Sequence, residues 1–340
     1  MPEVVVITGA SAGIGRATAR LYARRGASIA LIARGRDGLE AAAKEVADLG
    51  GRALVQQADT AEARQIEAAA EATERALGPI DVWINCAFTS VFAPFAEIGP
   101  NEYERVTKVA YLGFVNGTRA ALARMLPRDR GTIVQVGSAL GERAIPLQSA
   151  YCGAKHAING FSSSVRLELL HRGSHVHITI AQLPAVNTPQ FSWVRSRLPR
   201  HPQPVPPIYQ PEVAARGILH AADHPKRKQR YIGAGTTATI WANRLAPALL
   251  DRYLARTGFD SQQTDGVAPT GSGNLFAPAD EPPGSDHGAH GVFDDRAHPH
   301  SGQAALARHP VATALTTATG LAAAAVGIRR HLTGAREAPR

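Results

Sequence analysis

The chain has 340 residues, 44% of them hydrophobic, which suffices for one large α/β domain with additional material. Its formal net charge is +9, but the basic residues are scattered and no aromatic residues interleave with clusters such as Lys226–Lys228, which disfavours nucleic-acid binding. The charge suits an anionic cofactor or an acidic membrane surface. Two cysteines, Cys86 and Cys152, favour a reducing compartment over a disulfide framework. A strand directly after Met1 leaves no room for a signal peptide, so we expect a cytoplasmic protein.

The N-terminal residues predict a buried strand, a glycine-rich turn and a helix. The strand, Glu3 to Thr8, contains an unbroken β-branched run. The turn then places three glycines where the backbone must approach a pyrophosphate, and the helix, which runs to about Gly26, offers free N–H groups and a positive dipole end. We therefore predict a dinucleotide-binding turn rather than a plain glycine turn. Its cofactor-binding residues would be Gly9, Ser11, Gly13, Ile14 and Gly15.

The end of the second strand, Ser28 to Ala33, indicates which nicotinamide cofactor is used. An acidic residue there would bind a ribose 2′-hydroxyl and repel a 2′-phosphate. Here the strand ends in Ala33 and is followed by Arg34, whose guanidinium can pair with a 2′-phosphate. We expect NADP(H) to be preferred over NAD(H). The alternative is that Arg34 is only a solvated loop charge.

Ser138, Tyr151 and Lys155 carry the predicted chemistry. Residues four apart share a helix face, so Tyr151 and Lys155 point the same way. A lysine ammonium stabilises a phenolate, which makes Tyr151 a candidate proton donor or acceptor near neutral pH. Ser138, thirteen residues before Tyr151, adds a hydroxyl that can hold a carbonyl oxygen. A solvated helix face is the alternative interpretation of this spacing.

With these motifs the chain resembles the short-chain dehydrogenase/reductase family over about residues 1–255. The matching pieces are T-G-x-x-x-G-x-G from Thr8 to Gly15, Ser138, and Y-x-x-x-K at Tyr151 and Lys155. The resemblance implies that the tyrosine is the catalytic acid/base and that the serine orients the carbonyl. The lysine would bind the nicotinamide ribose and lower the tyrosine pKa.

The resemblance also implies three further cofactor-binding residues. Asp59, after the predicted third strand, would contact adenine. Asn85 stands at the first asparagine of the family's N-N-A-G segment. Thr188 stands where the family often has a threonine that contacts the carboxamide.

Several positions depart from the family pattern. Phe88 replaces the glycine of N-N-A-G, and Ala110 replaces a catalytic asparagine of the helix before the fifth strand. Thr107 lies one turn earlier on the same face, and we treat a substitute role for it as a hypothesis. These changes motivate an alternative function, a catalytically weakened NADP-binding regulatory or membrane-attached interaction protein.

Alternating strands and helices continue through Tyr253 and predict a doubly wound parallel sheet, with residues 1–261 as a single Rossmann-type domain. The resemblance implies the strand order 3-2-1-4-5-6-7 and the cofactor across the carboxyl ends of the strands. Two long helices, about Glu102–Leu126 and Ser149–Arg172, commonly pair across a two-fold axis in the family. We therefore expect a homo-oligomer, at least a dimer.

Residues 189–211, with seven prolines and many apolar side chains, predict a stiff lid over a lipophilic pocket. The alternative is a structural loop that packs on its own domain. Arg195, Arg197 and Arg200 would either contact an anionic group of the substrate or remain solvated. The expected partner is therefore a small-molecule carbonyl or alcohol substrate.

The C-terminal third changes composition. Residues 262–302 are rich in glycine, proline, serine, aspartate and histidine, which predicts a disordered linker with no metal site. Residues 303–333 predict an apolar helix. Its uncharged stretch, Val311–Ile328, is either a membrane contact or a soluble helix. We expect the tail to be dispensable for folding and dimerisation.

Overall fold

A computed structural model describes residues 2–268, 273–280 and 285–308. Its centre is a sheet of seven parallel strands in the order 3-2-1-4-5-6-7, the order that the family resemblance implies. The strands are β1 Val4–Thr8, β2 Ser28–Ala33, β3 Arg52–Gln57, β4 Val82–Asn85, β5 Gly131–Ser138, β6 Val176–Leu183 and β7 Gln229–Tyr231. The chain therefore has a Rossmann-like fold.

Eleven α-helices follow along the described residues. They are α1 Gly13–Ala23, α2 Arg36–Asp48, α3 Ala63–Leu77, α4 Pro100–Thr107, α5 Gly113–Met125, α6 Ser149–His171, α7 Gln190–Trp193, α8 Pro211–Asp223, α9 Ala234–Leu245, α10 Pro247–Thr257 and α11 Gly302–Arg308. Short strands at Val91–Phe92, Ala185–Val186, Arg195–Ser196, Arg200–Pro202, Ile208–Tyr209, Gln263–Val267 and Ala297–His298 form small sheets outside the central one.

The sheet is covered on both faces, which explains why β1 and β2 consist of buried residues throughout. One apolar cluster joins the sheet to α1, α2 and α8, and a second joins it to α3, α5 and the end of α6. Because the connections from β1 and β4 leave toward opposite faces, a crevice opens at the carboxyl ends of these two neighbouring strands. The fold thus places a ligand site at this edge.

The predicted long helix over residues 102–126 is interrupted. Lys108–Leu112 forms a π-helical turn between α4 and α5. A π-turn adds a residue to the helix and shifts the faces that follow it, and such turns are frequent at functional sites. It places Ala110 in an apolar cluster with Ala150 and Ala154 of α6, and none of the Ala110 surface is exposed.

The prediction of a disordered linker over 262–302 is wrong for the described residues of this stretch. Gln263–Val267 pairs antiparallel with Arg200–Pro202, and Ala297–His298 pairs with Ile208–Tyr209. The few apolar residues are the reason, since Leu275 and Phe293 are buried and anchor an otherwise polar segment. The sequence did not reveal this, because so few apolar residues show neither helical nor strand periodicity.

The predicted C-terminal helix over 303–333 falls mostly outside the described residues. Gly302–Arg308 is helical, and Val311–Ile328 lies beyond the part of the chain that the structure describes. Within residues 2–268, 273–280 and 285–308, none of the helices has the length and apolar character needed to cross a membrane.

Phe293 tests the structural role of the C-terminal segment. Its side chain is 6% exposed and packs against Phe191 with ring centroids 5.8 Å apart. We expect Phe293→Ala to lower the free energy of unfolding by about 3–5 kcal/mol, measured by urea denaturation, because it leaves a cavity in this cluster. Val292→Ala is the matched control, since Val292 is 66% exposed. Equal stability of the two variants would contradict packing of this segment.

Candidate active site

A cleft with a cavity volume of about 510 Å³ lies at the carboxyl ends of the strands. Its lining includes all the predicted site residues except Asn85: Gly9, Ser11, Gly13, Ile14, Gly15, Arg34, Asp59, Ser138, Tyr151, Lys155 and Thr188. The structure thus brings residues that are up to 179 positions apart in sequence, from Gly9 to Thr188, into one cleft.

The turn between β1 and α1 requires glycine for two reasons. Gly9 and Gly13 have positive φ values of 69° and 56°, which strain other residues. A Cβ atom on Gly9 would also lie 2.8 Å from the Cα of Ala87. The backbone of this turn and the N-terminus of α1 form a cradle at the cleft, where the sequence predicts a pyrophosphate, and within it the Gly13 N–H donates to the backbone oxygen of Gly288 at 3.1 Å.

Ser138, Tyr151 and Lys155 meet beside this cradle. Ser138 ends β5, and its hydroxyl is hydrogen-bonded to Tyr151 of α6. The Lys155 Nζ donates a hydrogen bond to the backbone oxygen of Val136 at 2.8 Å and lies 5.5 Å from the centroid of the Tyr151 ring. The first turns of α6 pack beside the carboxyl end of β5, and this packing converts the spacing of the motif into a compact group of polar atoms.

Burial dominates the electrostatics of this group. It raises the pKa of Tyr151 above its ordinary value, and the hydrogen bond from Ser138 opposes this only in part. It also lowers the pKa of Lys155 to about 8. Desolvation of the phenol outweighs any lowering of the Tyr151 pKa by Lys155, whose ammonium is hydrogen-bonded to a backbone carbonyl.

The end of the cleft beside β2 contains Arg34 and Asp59. The carboxylate of Asp59 forms an ion pair with Arg105 and accepts a hydrogen bond from the backbone N–H of Ala61 at 2.9 Å. The Arg34 guanidinium donates to the backbone oxygens of residues 274–276. Both predicted residues are in place, and both are held by contacts that the sequence did not indicate.

Asn85 occupies a different position from the one expected. It is 1% exposed and lies beneath the cleft, outside its lining. Its Oδ1 accepts from the indole N–H of Trp83 at 2.8 Å, and its Nδ2 donates to Gln135 at 2.9 Å. Asn85 therefore joins β4 to β5 in the core, and its side chain is structural rather than cofactor-binding.

Thr188 fits the expected contact with a cofactor. Its Oγ1 is buried, and among the described residues it has no hydrogen-bond partner. A buried hydroxyl without a partner costs free energy, which a ligand amide in the cleft would recover. Together with the glycine cradle, this orphaned hydroxyl shows that the residues present fit a nicotinamide dinucleotide.

The departures from the family pattern have distinct consequences. Phe88 lines the cleft and packs the edge of its ring against Tyr151, with centroids 5.1 Å apart, so it adds apolar surface beside the tyrosine. Thr107 lies outside the lining and donates to the backbone oxygen of Tyr103 at 2.9 Å. This placement gives no support to the hypothesis that Thr107 replaces the missing asparagine.

Residues 189–211 both pack on the domain and face the cleft. Phe191 and Trp193 line it, while Leu198 and Ile208 are buried with Phe92. The three arginines do not project toward a substrate. Arg195 and Arg197 donate to the buried carboxylate of Glu102, and Arg200 pairs with Asp260 and Asp265. These arginines are therefore not substrate contacts. They fix the segment to α4 and to the strand Gln263–Val267 with the turn before it.

Sequence analysis missed the C-terminal contribution to the cleft. Asn274, Pro278, Ala279, Asp280, Ser285 and His287 belong to its lining. Their polar, proline-containing segment resembles a linker in composition, and the only available signal was the isolated pair Leu275–Phe276.

Comparisons with known proteins agree with this site. The family model for short chain dehydrogenases matches residues 3–198, so the chain belongs to the short-chain dehydrogenase/reductase family. It is 34% identical over 265 residues to the uncharacterized oxidoreductase YxnA of Bacillus subtilis, covering 77% of this chain and 74% of that protein. It is 30% identical over 226 residues to a 3-dehydrosphinganine reductase of Danio rerio, covering 64% and 68%.

A solved structure shares the fold. It is a metagenomic short-chain oxidoreductase in complex with NADP, with a TM-score of 0.57 and 26% identity over 68% of this chain and 96% of that one. The chain is accordingly an oxidoreductase of this family.

The buried Lys155 predicts a pH-dependent stability. Its pKa is about 8 in the folded chain against 10.5 for an exposed lysine, so the unfolded chain binds this proton more tightly. Burial of the charged Lys155 therefore lowers the free energy of unfolding, and this effect is fully present below pH 8. The effect disappears as the pH rises to 10.5. The unfolding free energy of the wild type, relative to Lys155→Met, should therefore increase across this interval in urea titrations. A constant difference between the two proteins would contradict the lowered pKa.

Proposed function

We propose that the protein is an NADP(H)-dependent oxidoreductase that interconverts a carbonyl and a secondary alcohol on a lipophilic substrate. The observation that carries this proposal is the convergence of Ser138, Tyr151 and Lys155 with the glycine cradle in one cleft. A bound nicotinamide would supply or accept the hydride. The chain supplies the proton and the groups that hold the oxygen.

Tyr151 is the proposed acid/base. In reduction, its hydroxyl and that of Ser138 would hydrogen-bond the substrate oxygen, and Tyr151 would donate the proton. The raised pKa keeps Tyr151 protonated near neutral pH, which suits donation. Lys155 bears the nearest positive charge and would stabilise the phenolate that remains, and it would bind the nicotinamide ribose as it does in the family.

A lipophilic substrate is supported by the walls of the cleft. Its lining includes four aromatic side chains, Phe88, Phe92, Phe191 and Trp193, and Leu254 of α10. Arg143 also lines the cleft, but its guanidinium pairs with Asp251 and Asn243. The name of the Danio rerio relative, a 3-dehydrosphinganine reductase, is consistent with a ketone substrate.

Tyr151→Phe separates catalysis from binding. The variant lacks the proposed proton donor, so kcat for NADPH oxidation across a panel of apolar ketones should fall by about two orders of magnitude or more. The dissociation constant of NADPH should stay near that of the wild type. If the wild type turns over none of the ketones yet binds NADPH, the alternative of a catalytically weakened NADP-binding regulator is favoured. Near-normal turnover by Tyr151→Phe would rule out the mechanism.

Arg34→Asp tests the preference for NADP(H). The strand before it ends in Ala33, so the sequence of β2 itself provides no acidic residue to bind a 2′-hydroxyl. Replacing the guanidinium with a carboxylate should weaken NADPH binding about tenfold or more and leave NADH binding less affected, measured by titration calorimetry. Arg36→Asp is the control, since Arg36 is exposed and pairs with Glu40. Equal binding of NADH and NADPH by the wild type would contradict the assignment.

A further inference from the structure

The C-terminal segment Asn274–Asp280 covers the end of the cleft where β2 meets α2. Arg34, which follows β2, donates hydrogen bonds to the backbone oxygen of Leu275 at 3.3 Å and of Phe276 at 3.1 Å, as well as to that of Asn274. Arg105 donates to the same oxygen of Leu275 at 3.0 Å. Two arginines of the nucleotide-binding half therefore hold this segment over the site.

Asp280 is the residue of this segment that reaches furthest into the α2 terminus. Its Oδ2 accepts a hydrogen bond from the backbone N–H of Gly38 at 3.0 Å. A Cβ atom on Gly38 would lie 2.9 Å from the Cβ of Ser11, and one on Gly35 would collide with the Asp280 carboxylate. The carboxylate consequently sits among Gly35, Gly38 and Ser11, all of which line the cleft.

The electrostatic attraction that would hold a phosphate at this position also stabilises the Asp280 carboxylate. The N-terminus of α2 has a positive dipole end, and no side chain of the helix itself caps it. The end of β2 and the start of α2 are also where a dinucleotide-binding fold reads the ribose 2′-substituent. Asp280 therefore supplies, from a distant part of the chain, the acidic group that the sequence of β2 lacks.

We propose that Asp280 is a cofactor-selecting residue, whose carboxylate holds the position that a 2′-phosphate needs. A dianionic phosphate and this carboxylate cannot share the α2 terminus without strong repulsion. Binding of a 2′-phosphorylated nucleotide thus requires Asp280 to leave, so Asp280 reduces the preference for NADP(H) that Arg34 is proposed to give, whereas a nucleotide with a free 2′-hydroxyl leaves it in place. This proposal rests on the proposed function in one respect: both assume that the ribose with the 2′-substituent binds at this end of the cleft.

The test compares two nucleotides that differ in the 2′-phosphate alone. Adenosine 2′,5′-bisphosphate and adenosine 5′-monophosphate are titrated calorimetrically into the full chain, so that no turnover is needed. Asp280→Asn and Asp280→Ala should both bind the bisphosphate about five- to tenfold more tightly than the wild type, with less gain at high salt. Binding of the monophosphate should not improve.

Asp265→Asn is the matched control. It removes the same charge from the same C-terminal stretch, but Asp265 is exposed and pairs at 3.5 Å with Arg200, away from the cleft. Its bisphosphate affinity should equal that of the wild type. An unchanged or weakened bisphosphate affinity in both Asp280 variants would overturn the proposal, as would an equal gain in Asp265→Asn.

Hydrogen exchange gives a second, independent measurement on the wild type. Saturating bisphosphate should increase amide exchange in residues 274–280, and saturating monophosphate should not. Greater protection with bisphosphate would show that the segment closes on the phosphate, which overturns the proposal. The variant Arg34→Gln distinguishes failure of the Asp280 proposal from failure of the NADP(H) assignment. If Arg34→Gln weakens bisphosphate binding but the Asp280 variants do not strengthen it, only the role of Asp280 is wrong.

Discussion

The crevice between the carboxyl ends of β1 and β4 is the constraint on which the rest of the structure depends. Parallel strands send their connections over one face or the other, and here the direction reverses between these two neighbours. The reversal places the glycine turn at the opening, where the C-terminal segment covers part of it, since the Gly13 N–H donates to the backbone oxygen of Gly288. It also directs β5 and α6 so that Ser138 and Tyr151 reach the same opening. The site is thus a consequence of topology, and its chemistry comes from a few side chains placed at the strand ends.

Much of this could be predicted from the sequence, because the relevant signals are local. A β-branched run, a glycine turn and a tyrosine–lysine spacing each describe a single element, and the parallel fold then fixes how the elements meet. The strand order and the meeting of Ser138, Tyr151 and Lys155 followed from these signals and the family resemblance. Asn85 shows the limit of this reasoning, since a motif position does not tell whether a side chain faces the cleft or the core.

The remaining features depend on contacts between distant residues, which a single sequence does not display. Arg195 and Arg197 look like solvated or substrate-binding charges until Glu102 is seen beneath them, with a pKa lowered because the two guanidinium groups and the Gly99 N–H outweigh the effect of burial. The C-terminal segment is a similar case. Its composition indicates disorder, yet Leu275 and Phe293 give it enough buried apolar surface to pack on the domain. Composition alone cannot locate the few residues that decide the outcome.

The three tryptophans of the chain lie in three different environments, which gives the molecule built-in optical probes. Trp83 is fully buried in the apolar cluster between the sheet and α3, α5 and α6 and donates to Asn85, so its emission reports the integrity of the core. Trp193 lines the cleft, with its ring centroid 4.5 Å from that of His287, and its emission is sensitive to whatever enters there. Trp241 on α9 is 51% exposed and supplies a solvent reference. Single-tryptophan variants would therefore resolve unfolding, ligand entry and surface association as separate signals in one protein.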